Sequence, residues 1–136
     1  FGVTPKVALL AASNFGTRKS ESVNRMRDAL ALILAADPNL EIDGEMRADT
    51  ALVPAIREQI FKDSYLEGQA NVLIMPSVDA ANIAMNLLTV LGEGVAVGPI
   101  TLGLKRPAHI LTPSATVRRV INMSTLAVVD SQLELG

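Results

Sequence analysis

Short runs of consecutive apolar residues alternate along this chain with longer stretches whose apolar positions recur every three or four residues. That pattern predicts strands exchanging with helices. Lys6-Val7-Ala8-Leu9-Leu10-Ala11-Ala12 follows Pro5 and stops at the turn cluster Ser13-Asn14-Phe15-Gly16, which reads as a buried strand. Over residues 22–36, Val23, Met26, Leu30, Ile33 and Leu34 keep helical spacing, and Asp37-Pro38-Asn39 closes that helix. Residues 40–46 alternate with period two and predict a second strand. Residues 50–61 return to helical periodicity, with Pro54 tolerable only near the first turn.

Asn71-Val72-Leu73-Ile74-Met75, ahead of Pro76, predicts a third strand, and its unbroken apolar character predicts cover on both faces. Residues 79–91 form another predicted helix, ended by Gly92-Glu93-Gly94. Residues 96–102 and 108–111 are shorter strand candidates, the first weakened as a central strand by Gly98 and Pro99. Residues 116–133 close the chain as a helix. The alternation predicts an α/β domain with a largely parallel sheet.

Composition narrows the function classes. At 136 residues the chain has the length of about one domain. Its 49% hydrophobic and 19% charged content excludes a disordered chain. The absence of cysteine excludes disulfides, Cys-based metal sites and a Cys nucleophile, and the lone His109 excludes a multi-His site within the chain. A net charge of −2 with 3% aromatics argues against a nucleic-acid surface. The longest apolar run, residues 29–36, is eight residues long and far short of a membrane span. No signal-peptide layout opens the chain, so a cytoplasmic setting is expected. The chain starts on Phe1, which suggests a piece of a longer polypeptide.

In a parallel sheet, ligands bind beyond the carboxyl ends of the strands. The segment Ser13-Asn14-Phe15-Gly16-Thr17-Arg18-Lys19-Ser20 sits there, with Asn14, Gly16 and Lys19 ahead of a helix N-terminus, an arrangement that suits anions. A solvated turn with a Ser cap would look the same. The segment has neither G-x-G-x-x-G nor a P-loop pattern. Asp43, Glu45 and Asp49 cluster near Gly44, where they could hold Mg²⁺ or act as acid and base. The plainer expectation is that one pairs with Arg47 and the others face water. Asp79-Ala80-Ala81-Asn82 reads as a capped helix start, with Asn82 one turn in. His109 is expected to be a hydrogen-bonded structural residue. Thr112-Pro113-Ser114-Ala115-Thr116 is rich in hydroxyls, and Arg118 and Arg119 fall in the first turn of the last helix. Cations beside the positive end of a helix dipole cost roughly 0.3–1 kcal/mol each, which a bound anion would offset. Pairing of both Arg with acidic residues elsewhere is the alternative.

Asp43-Gly44-Glu45-Met46 with Asp49, Ala70-Asn71-Val72-Leu73-Ile74-Met75-Pro76, Asn82-Ile83 and Val97-Gly98-Pro99-Ile100 with Gly103 resemble the phosphate acetyltransferase/butyryltransferase family. Their order and spacing match over nearly the whole chain, which corresponds to the C-terminal part of a phosphotransacetylase-like domain. Asp79-Ala80-Ala81-Asn82-Ile83, His109-Ile110-Leu111-Thr112-Pro113-Ser114 and Val117-Arg118-Arg119-Val120-Ile121-Asn122-Met123 are closer still to one branch. That branch is the C-terminal phosphotransacetylase-like domain of large bacterial NADP-dependent malic enzymes. The resemblance implies a three-layer fold, with a largely parallel sheet flanked by helices, as in the isocitrate/isopropylmalate dehydrogenase-like proteins. It also implies that NADP, malate and a divalent metal bind upstream of this segment, with no cofactor in the segment itself.

Active transacetylases carry Ser-Arg-Gly where this chain has Thr112-Pro113-Ser114, and Asp where it has Arg119. The resemblance assigns the Ser to the acyl centre, the Arg to phosphate and the Asp to the CoA thiol proton. Pro113 has neither charge nor N–H, and Arg119 stays protonated and cannot act as a base. The expected function is therefore regulatory: acetyl-CoA or a related ester binds without transfer, in a self-associating domain attached to a malic enzyme. Thr112, Ser114, Arg118 and Arg119 are the expected anion-facing group, with Asn14, Gly16, Lys19 and Asn82 as a second set and no catalytic or metal-binding residue. A working acyltransferase and a purely structural oligomerisation module are the competing readings. No nucleic-acid or membrane partner is expected.

Overall fold

In the computed structural model, which describes residues 2–92 and 95–133, the chain divides into two units, Phe1–Leu87 and Leu88–Gly136. The first holds β1 (Val7–Leu10), α1 (Glu21–Ala36), β2 (Ile42–Met46), α2 (Ala48–Leu52), α3 (Pro54–Ile60), β3 (Val72–Ile74) and most of α4 (Val78–Leu91). The three strands form a parallel sheet in the order β2-β1-β3. Val7 and Leu9 pack with Met26 and Ile42 on the α1 face, whereas Ala8 and Leu10 pack with Met46, Ala51, Leu66 and Ala70 on the other. Helical layers therefore cover both faces of β1. The period-two geometry of a strand sends its alternate side chains into two different cores.

Most predicted elements appear within a residue or two of their expected bounds, and the departures have physical reasons. The single helix expected over residues 50–61 is two helices, broken at Val53, which is extended at φ −119° and ψ 96°. Proline crowds the residue before it out of the helical region, so Pro54 starts α3 instead of sitting inside a longer helix. The strand covered on both faces is β1, not β3. The latter is an edge strand whose Ile74 is exposed. Ser77, not Asp79, caps α4: its Oγ accepts from the Ala80 N–H at 3.2 Å. Glu93 and Gly94, expected to end this helix, lie outside the described residues.

The second unit contains the last turn of α4 and α5 (Val117–Leu133), joined by irregular backbone. Neither expected strand, 96–102 or 108–111, forms among the described residues. Gly98 sits at φ +137° and Pro99 has no N–H to give to a ladder.

Two features lock the first unit. Gly44 has φ +147°, and a Cβ there would lie 2.6 Å from the Leu9 carbonyl oxygen, so β1 and β2 approach this closely only over a glycine. Arg57 is buried, and among the described residues no carboxylate forms an ion pair with it. Its Nη1 donates to the Thr50 and Ala51 carbonyls at 3.2 and 3.4 Å. Its Nη2 donates to Leu66 O at 2.9 Å and to Gly68 O. One guanidinium thus ties α2 to the loop ahead of β3, since its five fixed donors can serve several carbonyls at once.

Candidate functional site

The loop after β1 is shaped by a residue from β2. Leu9 pairs with Gly44 and Leu10 with Met46, so the register skips Glu45. Such an irregularity re-aims a side chain. The Glu45 carboxylate is fully buried, and its Oε1 accepts from Ser13 Oγ at 2.9 Å and the Gly16 N–H at 2.8 Å. Its backbone carbonyl accepts from the Phe15 N–H at 2.8 Å. Asn14 is buried too, with Oδ1 accepting from the Arg47 N–H at 2.7 Å. Beyond the turn, Thr17, Arg18 and Lys19 are exposed, and Ser20 caps α1 by accepting from the Val23 N–H.

Of the second set of expected ligand residues, Asn14 and Gly16 are therefore brought together, and Lys19 follows three residues on in the open. Asn82 is exposed on α4. The Gly16 N–H already serves an internal carboxylate, and the Thr17 N–H donates back to the Asn14 carbonyl at 3.1 Å, which leaves Arg18 and Lys19 as the exposed cations that follow this turn.

The acidic cluster does not behave as expected. Arg47 does pair with Asp49 at 2.8 Å, but Asp43 and Glu45 are buried instead of facing water. Asp43 Oδ2 accepts from Ser64 Oγ at 2.6 Å and the Tyr65 N–H at 3.0 Å, and so pins the segment after α3. Each carboxylate serves a different partner, and the described residues hold no group of three or more acids and histidines fit to bind a metal. Sequence reasoning missed Glu45 as the hub of the loop and Arg57 as a pin. In both cases the residue type signals solvent, and only the chain path brings donors or carbonyls around it.

Within the second unit, Thr112 Oγ1 and Ser114 Oγ are 3.1 Å apart, and both residues are exposed. Thr116 Oγ1 accepts from the Arg119 N–H at 3.2 Å, as a capping hydroxyl does at the head of α5. Arg119 Nη2 donates to the Gly98 carbonyl at 2.6 Å, while its Nε is buried with no hydrogen-bond partner among the described residues. Arg118 is exposed, and among the described residues neither arginine is ion-paired. The alternative, in which both pair with acids, has no such pair among the described residues. His109 is half-buried, and its Nδ1 accepts from the Thr101 N–H at a long 3.4 Å.

The model of the family described as phosphate acetyl/butaryl transferase matches residues 1–128. The chain belongs to that family. It is 52% identical over 98% of its length to the NADP-dependent malic enzyme of Escherichia coli (strain K12), and spans 18% of that protein. It is 38% identical over 96% of its length to the phosphate acetyltransferase of Acetivibrio thermocellus, and spans 40% of it. A solved phosphotransacetylase from Staphylococcus aureus superposes with a TM-score of 0.85 at 36% identity, over 96% of this chain and 41% of that one. The expected family and α/β fold are thereby established.

Proposed function

We propose that this chain is the C-terminal part of a phosphotransacetylase-like domain within a cytoplasmic malic enzyme, and that it binds acetyl-CoA or a related CoA ester without transferring the acyl group. The supporting observation is Arg119. Transfer needs a proton acceptor for the CoA thiol, and this position carries a guanidinium that donates to Gly98 O and stays charged. The same substitution reverses the charge and suits a ligand that brings phosphates. Among the described residues Arg118 and Arg119 make no ion pair, and Thr112 and Ser114 are exposed hydroxyls a few residues ahead of them in the chain, which favours the anion-facing role. Pro113 supplies neither charge nor donor for a phosphate acceptor.

Regulation then requires the ester to bind two states of the assembly unequally, with a coupling of ~1–3 kcal/mol typical of such linkage. Self-association is the proposed route. The exposed apolar residues Val117, Val120, Ile121 and Val128 on α5 give it surface to bury. NADP, malate and a divalent metal belong to the upstream part of the polypeptide.

The test uses the full polypeptide. Acetyl-CoA is expected to bind saturably and to change malate oxidation, with no formation of acetyl phosphate from acetyl-CoA and phosphate. Arg119→Gln is expected to weaken acetyl-CoA binding by about tenfold, or ~1.4 kcal/mol. Acetyl phosphate formation that depends on Thr112 would overturn the reading in favour of a working transferase. Absence of binding would leave a structural module.

A further inference from the structure

No residue of α4 is fully buried, yet Asp79 is the only charged residue among its fourteen. A helix that keeps one side in water is polar there, and one apolar nearly all round is built to be covered. Ala80, Ala81 and Ala84 are half-buried and mark the inner side. Away from them, Asp79, Asn82 and Asn86 follow at three- and four-residue spacing and form one exposed stripe. Val78 and Met85 border it on one side, Ile83 and Val90 on the other, each pair two turns apart. Val78, Met85, Ile83 and Val90 keep 75%, 47%, 62% and 77% of their surface in water.

Counted outward from Ala84, the helix reads alike in both directions. Ile83 matches Met85, Asn82 matches Asn86, and Val78 matches Val90. A contact between identical copies about a twofold axis requires a surface complementary to itself. Two α4 helices laid antiparallel about an axis at the level of Ala84 meet that requirement, since each residue then faces its match. An amide carries two donors and two acceptor lone pairs. Asn86, whose Nδ2 donates to the Asn82 carbonyl at 2.8 Å, therefore keeps capacity for a partner. Asn within an apolar seam also fixes register. Charge agrees with this occupant. At ~1.5 Å per residue the two Asp79 side chains lie ~15 Å apart along the seam, beyond the ~8–10 Å within which exposed charges act on each other in salt. Covering a side chain of this kind removes roughly 60–120 Å² from water, so the stripe and its borders give each copy about 400 Å², half of the ~800 Å² per partner in a standard interface. The α4 contact is accordingly one that dilution reverses.

We propose that α4 pairs antiparallel with α4 of a second copy of this chain, setting Asn82 of one copy against Asn86 of the partner subunit and Ile83 against the partner's Met85. The pairing rests on the proposed self-association and not on the CoA ester.

The test places thiols in the full polypeptide, since this chain has no cysteine of its own. Asn82→Cys and Asn86→Cys variants are mixed in equal amounts and oxidised, with wild type as the control for cysteines elsewhere in the polypeptide. The mixture is expected to form a disulfide-linked dimer several-fold faster than either variant alone, because a disulfide needs the close approach that this register gives only between residues 82 and 86. A link formed as fast by Asn82→Cys alone would overturn the antiparallel register. If the mixture shows no excess, labelling of each variant by a water-soluble thiol reagent names what holds the face. Slow labelling means that the rest of the same polypeptide covers α4, and fast labelling means that the face stays in water; either overturns the proposal. A wild type that sediments as a monomer at every concentration overturns it together with the proposed self-association. One that self-associates without the 82–86 link overturns the α4 pairing alone, and titration with acetyl-CoA decides the ester reading separately.

Discussion

Residues 2–87 and the described residues from 88 onward have similar apolar content and opposite fates. In the first unit, Val7, Leu9, Met26, Ile42 and Met46 meet across a sheet that uses their backbone groups in a ladder. In the second, Met123 is the one buried hydrophobic residue described, and Leu91, Leu102, Ile110 and Val117 are each more than three-quarters exposed. Apolar sequence alone does not make a core. It needs a second surface, and that of the first unit is the strand pair β1–β2. The exposed apolar residues of the second unit have the character of surface built to be covered.

This contrast can be broken by substitution, taking the largest expected effect first. Arg57→Ala should destabilise the first unit by roughly 3–5 kcal/mol, because the carbonyls of Thr50, Ala51 and Leu66 lose their shared donor where they are buried, and that of Gly68 loses it nearer the surface. Denaturant melts would show it, and a loss under ~1 kcal/mol would mean that water replaces the guanidinium. Leu9→Ala should cost about 2–5 kcal/mol, whereas Ile121→Ala, exposed on α5, should change the stability of the dissociated chain by less than ~0.5 kcal/mol. Equal costs would erase the distinction between the two regions. Helix caps sharpen it further. Ser20→Ala should cost ~1 kcal/mol of global stability, while Thr116→Ala should raise amide exchange at the head of α5 and leave β1 protection unchanged.

The smallest effect depends on pH. Partial burial opposes ionisation of Glu41, yet the Glu67 N–H at 2.7 Å and the Lys6 ammonium at 3.1 Å hold its carboxyl below the ordinary 4.5. A depressed folded value stabilises the protein above the unfolded value and stops doing so as pH falls through the folded one. Melting temperatures of wild type and Glu41→Gln should therefore differ at neutral pH and converge in acid below 4.5. A constant difference would contradict the linkage.

The sequence carried most of the first unit's organisation. Periodicity marks α1 because Val23, Met26 and Ile33 share a face, and the apolar run of β1 marks a buried strand, although cover on both faces was expected of β3. The break at Val53 was legible only in part: Pro54 was placed at a helix start, but not as a new helix. Glu45 was legible as an acid beside Gly44 and not as a buried hub, because its burial follows from a one-residue skip in register that period-two patterning cannot encode. In the second unit, residues 96–111 have strand-like composition without a partner strand among the described residues, and composition does not supply one. Arg118 and Arg119 stood out because their charge is wrong for a helix start, a signal that needs no tertiary context.

The most direct measurement is a titration of the full polypeptide with acetyl-CoA in phosphate buffer, with the thioester followed by its ultraviolet absorbance after saturation. Saturable binding with the thioester intact is the predicted result. Release of free CoA as binding proceeds, or no binding at all, would contradict it.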